Sequence, residues 1–173
     1  MTASTTATGP GAKIDTEFVR HWSERYPITS DRRVLDEIGP AVAARGHYTM
    51  DELLVVGRWK ATRATGYMRR NTAEDVEAIT RLGLTAPDHL AHRVLRLLAG
   101  VLDPMASALL TVVHPDRFTV IDVLAIKTLR AHGELDTWPS YPAYLQLCRE
   151  LANRTGADLR TLDRALWKWG KDH

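Results

Sequence analysis

Apolar positions recur every three or four residues along most of the chain, the spacing of helices that bury one face. Phe18, Val19 and Trp22 mark a short first helix. Val34, Leu35, Ile38 and Val42 mark a second, with Ser30 as its cap, Gly46 as its end and Pro40 as a point of breakage or kinking. Thr49 and Glu52 form a capping box ahead of Leu53, Leu54, Val55, Val56 and Trp59. Asn71 with Glu74 opens a helix carrying Val76, Ile79 and Leu82. Thr85, Pro87 and Asp88 open the next, which carries Leu90, Val94, Leu95, Leu97 and Leu98 as far as Gly100. Asp103-Pro104 reads as a capping carboxylate followed by a proline where no amide donor is needed, leading into Met105, Leu109, Leu110 and Val113. Phe118 to Ile121 is extended by propensity, but too short and solitary to imply a sheet. Asp122 caps a helix that ends near Gly133, and Ser140 and Asp158 open the last two. The pattern predicts an all-α fold.

Composition narrows the class. A chain of 173 residues with 45% hydrophobic and 25% charged residues suits one globular core. Residues 1–13, rich in Thr, Ala, Ser and Gly, are expected to form a disordered tail, and 14–173 a single compact helical domain without repeats or a linker. The one cysteine, Cys148, excludes an intramolecular disulfide, a multi-thiolate zinc site and an iron–sulfur cluster. No apolar run approaches a membrane span and no signal-peptide core precedes the helices, so a cytoplasmic protein is expected. His47, His92, His114 and His132 lack metal spacing, and no Gly-rich phosphate loop appears, so neither a metal nor a nucleotide cofactor is expected. Ser107 and Cys148 have no His-Asp constellation beside them, which disfavours nucleophilic hydrolysis.

The net charge of +2 permits nucleic-acid binding without demanding it, so distribution matters more. Arg58, Lys60, Arg63, Arg69 and Arg70 form one basic run. Arg154, Arg160, Arg164, Lys168 and Lys171 form a second, diluted by Asp158, Asp163 and Asp172. Each run is either a solvated helix face or a phosphate contact. Trp59 lies inside the first run and is either core or the wall of a base pocket flanked by cations. Trp167 and Trp169, two positions apart, point to different faces: one belongs to the core and the other reaches a ligand or the surface.

The segment Leu98-Ala99-Gly100-Val101-Leu102-Asp103-Pro104-Met105-Ala106-Ser107 ends one helix at a glycine and starts another within a few residues. Ala106, Ser107 and Ala108 are small enough for two helices to approach closely. Amides exposed at the second helix's start can hold an anion such as a DNA phosphate. Downstream, Val120-Ile121-Asp122 places an acid at a helix start. Together these residues resemble the helix-hairpin-helix superfamily of DNA glycosylases, over about a fifth of the chain, Leu95 to Leu129. The resemblance implies a central helix-hairpin-helix over 90–113. It implies DNA contacts at Gly100, Leu102, Pro104 and Ala106, supplemented by Arg58, Lys60, Arg63 and Lys127, a base pocket with Trp59 and Trp167, and Asp122 as the catalytic carboxylate. The sequence also departs from that pattern. Leu102 stands where the hairpin's second glycine is expected, and Pro104 where bifunctional members carry the Schiff-base lysine, so lyase chemistry is not implied. The four-cysteine cluster motif is absent, and the segment from Trp59 to the hairpin is short.

Base excision requires a base extruded from the stack and a carboxylate that stabilises positive charge on the sugar or activates a water. Asp122 fits that role, and it equally fits a plain helix cap; the two can coexist. Lys127 is either a phosphate contact or a solvated lysine. Three functions remain open: a monofunctional DNA N-glycosylase-like hydrolase, a non-catalytic DNA-binding module, and a helical protein-interaction domain.

Overall fold

A computed structural model describes residues 11–173. Its helices are α1 (Thr16–Ser23), α2 (Gly39–Arg45), α3 (Met50–Ala61), α4 (Thr65–Met68), α5 (Ala73–Thr85), α6 (Asp88–Leu95), α7 (Asp103–Val113), α8 (Val123–Ala131), α9 (Tyr141–Thr155) and α10 (Leu159–Asp172). Side-chain caps open α1, α3, α5, α8, α9 and α10, and several of them are those the sequence predicts. The fold is all-α, with no strand among the described residues; Phe118 to Ile121 is irregular and buried. No described helix is long and apolar enough to cross a membrane. Of the expected tail, 1–10 lie outside the described residues, while Gly11 donates its amide to Ala131 O at 3.0 Å.

Thr49 and Glu52 do form a reciprocal capping box on α3. Asp122, Ser140 and Asp158 cap α8, α9 and α10 through their side chains. Four expected starts are displaced. Ser30 ends a short 3-10 turn, and the helical segment after it begins behind Arg32 without a side-chain cap. Thr72, not Asn71, caps α5 by accepting from Asp75 N. Pro87 precedes α6, and Thr85 instead ends α5 with its hydroxyl donating to Arg81 O at 2.9 Å. Leu102, not Asp103, occupies the cap position of α7 and offers no side-chain bond. Pro40 lies in the first turn of α2 directly after a π-helical turn over Arg33–Ile38; proline supplies no amide donor, and the wider turn accommodates that loss.

The described residues fold as two compact units, 11–27 with 121–173, and 28–120. In the first, α10 packs against both α1 and α8. Its core includes Phe18, Trp169, Tyr141 and Tyr144. Gly170 lets α10 approach α8 closely, because a Cβ there would overlap the Leu124 carbonyl. Thr128 donates its hydroxyl to Leu166 O at 2.6 Å across the same contact. In the second unit, α7 is buried along nearly its whole length and packs on α2, α3 and α6. The Tyr48 hydroxyl donates to Leu109 O at 2.7 Å, satisfying a fully buried phenol.

Candidate nucleic-acid interface

In the second unit, the connection between α6 and α7 turns at Gly100 with φ +78°, in the left-handed region that glycine adopts without strain. It is also a close approach. A Cβ on Gly100 would lie 2.8 Å from Met68 N and 3.0 Å from Ala64 O, so the turn rests on α4 and the short turn before it. Asn71 locks this arrangement: its amide donates to Met68 O (2.7 Å) and Ala99 O (3.0 Å), and its carbonyl accepts from Ala99 N (2.8 Å). Asn71→Ala is expected to cost about 1–2 kcal/mol, since it strands the half-buried Ala99 amide and carbonyl, whereas Met68 O keeps the backbone amide of residue 71. Urea unfolding measures the loss, and the Ala99 amide should exchange faster.

This packing collects side chains that lie far apart in sequence. Leu97 and Leu102 stand 71% and 67% exposed on either side of the turn. Tyr67, 58% exposed on α4, has the Arg70 guanidinium 4.9 Å over its ring. Arg63, Arg69 and Arg70 are exposed, and among the described residues none of them pairs with a carboxylate. Asp103 sits in the first turn of α7, where it pairs with Arg96 at 3.2 Å, which offsets its charge at that helix end. The start of α7 therefore presents amides without a side-chain cap beside unpaired guanidinium groups, an arrangement suited to an anion.

Of the expected contact residues here, Leu102 is exposed, Pro104 is half-buried and Ala106 is fully buried, where its size lets α7 pack. Arg58 is exposed and Lys60 half-buried on α3; Trp59 is half-buried rather than core. Sequence reasoning passed over Tyr67, which no periodic pattern claims, and took Asn71 for a cap.

In the first unit, Asp122 Oδ1 accepts from Leu124 N at 3.0 Å and Ala125 N at 2.9 Å, so the carboxylate caps α8. Lys127, on the same helix, donates to Gly170 O at 3.3 Å. Of the two C-terminal tryptophans, Trp169 is core at 2% exposure. Trp167 is half-buried, edge-on to Tyr26 at 5.2 Å and beneath the Lys171 ammonium at 4.6 Å. The Cys148 thiol is fully buried, and burial pushes its pKa up, away from a reactive thiolate. Among the described residues no group of His, Cys, Asp and Glu could hold a metal ion.

No protein-family model, curated protein or solved structure shows a significant match to the chain.

Proposed function

We propose that this protein is a cytoplasmic DNA-binding base-excision protein, an N-glycosylase-like hydrolase with a central helix-hairpin-helix. The observation that carries the reading is the α6–α7 turn: a left-handed glycine seated on α4, an α7 start without a side-chain cap, and unpaired arginines around it. In this reading the amides and Arg63, Arg69 and Arg70 hold backbone phosphates, which fixes position without reading sequence. Tyr67 offers a flat face to a base. Asp122 acts on an extruded nucleotide. The C1′–N bond breaks with its electron pair leaving on the base, which takes a proton from solvent. Water forms the new C1′–O bond and gives its proton to the Asp122 carboxylate. The same carboxylate stabilises the positive charge that develops on the sugar.

A second reading, a non-catalytic DNA-binding module, draws support from Asp122 itself, whose Oδ1 already serves two amides of α8.

Leu102→Asp separates binding from folding. An aspartate at this position can cap α7 and hold or raise stability, while it sets a negative charge where a phosphate would sit. Duplex affinity should fall about tenfold, and its dependence on salt should become shallower by about one contact. A variant that binds duplex as tightly as wild type removes the hairpin from the interface. Wild-type affinity that ignores salt removes the nucleic-acid reading and leaves a protein-interaction domain.

A further inference from the structure

We propose that a groove on α8, in the first unit, binds one unpaired nucleotide of a nucleic-acid strand, with its base on Trp138 and its phosphate between Lys127 and Arg130. Val123, Ile126, Lys127 and Arg130 fall at positions i, i+3, i+4 and i+7, so they share one face of α8. With Trp138, from the connection between α8 and α9, they line a groove of about 370 Å³, within the range of small-ligand sites. Ile126 is buried and forms its floor; Val123 and Trp138, 68% and 50% exposed, are the large hydrophobic side chains that the described residues of this unit leave in solvent.

The lining charges decide the occupant. Two cations and no acid border the groove. Arg130 pairs with no carboxylate among the described residues, and Glu134, four residues on, is taken by Arg154. Asp136 lies in the same connection but does not line the groove. An exposed indole beside Arg130, and beside Lys127 whose ammonium meets only the Gly170 carbonyl at 3.3 Å, matches a planar base joined to an anion: the ring stacks the base and the cations hold the phosphate. This site lies wholly within one unit and stands independently of the hairpin.

The test is anisotropy titration of a labelled short oligothymidylate with wild type, Trp138→Ala, Trp138→Phe and Arg130→Glu. Because Trp138 and Arg130 sit at the surface, unchanged far-UV circular dichroism should accompany each variant. Trp138→Ala should weaken binding about tenfold or more, as loss of a stacked base does elsewhere, and Trp138→Phe should restore most of it. Arg130→Glu should weaken binding and reduce the salt slope by about one. An abasic strand of equal length should bind weakly and should not respond to Trp138→Ala. The duplex titration of Leu102→Asp reads the hairpin and the oligothymidylate titration of Trp138→Ala reads this groove, so failure at the hairpin and failure here are separable. Equal binding by Trp138→Ala, or equal binding of the abasic strand, would overturn the proposal. So would wild type that ignores oligothymidylate and binds an acidic peptide through Trp138, which would assign the groove to a protein partner.

Discussion

Gly170→Ala is expected to destabilise the protein by about 2–3 kcal/mol, although alanine is normally the better helix former by about 1 kcal/mol. The reason is steric. An added methyl would overlap the Leu124 carbonyl and meet Thr128 Oγ1 at 2.9 Å, and a carbonyl in the first turns of α8 cannot rotate away as a side chain would. To relieve the overlap α10 must withdraw from α8. That movement stretches the bond from Thr128 to Leu166 and opens the core around Trp169. Chemical denaturation of wild type and variant measures the change directly. Stability equal to or above wild type would mean that the two helices are not held at this distance. Asp122, the cap of α8, and the groove residues on α8 would move with that helix.

Asp122→Asn should lower base release by about 10²–10³-fold or more while leaving unfolding stability nearly unchanged. Asparagine is about as good a cap as aspartate, and its carbonyl can still accept from Leu124 N and Ala125 N. What it removes is the negative charge that the proposed excision step assigns to Asp122. Asp122→Ala is the complementary control: it should lose activity and also about 1 kcal/mol of capping. If a folded Asn variant releases base at the wild-type rate, the carboxylate is a cap and nothing more.

The helical fold was legible in the chain because caps are local chemistry. Thr49 with Glu52, Ser140, Asp158 and Asp122 each start a helix where their side chains reach the first amides. The displaced starts have physical causes. Asn71 resembles a cap, but its side chain is committed to Met68 and Ala99, partners visible only once the chain has folded back, and Thr72 caps instead. Asp103 resembles a cap, but Arg96 holds it inside the first turn. The interface was less legible for the same reason. Gly100 is visible in sequence as a turn; its seat on Met68, which brings the segment of Tyr67, Arg69 and Arg70 to the α6–α7 connection, depends on a tertiary contact. Trp138 left one unused signal, a tryptophan in the polar connection between Gly133 and Ser140 that no helical face claims.

The central claim is best tested by base release from a panel of oligonucleotides carrying deaminated, alkylated or oxidised bases, single-stranded and duplex, with wild type and Asp122→Asn side by side. The expected result is release of at least one class by wild type alone, without strand cleavage, because in the proposed reading Pro104 falls where a Schiff-base lysine would be needed. Salt-dependent duplex binding with no release from any member of the panel would contradict excision and leave a DNA-binding module.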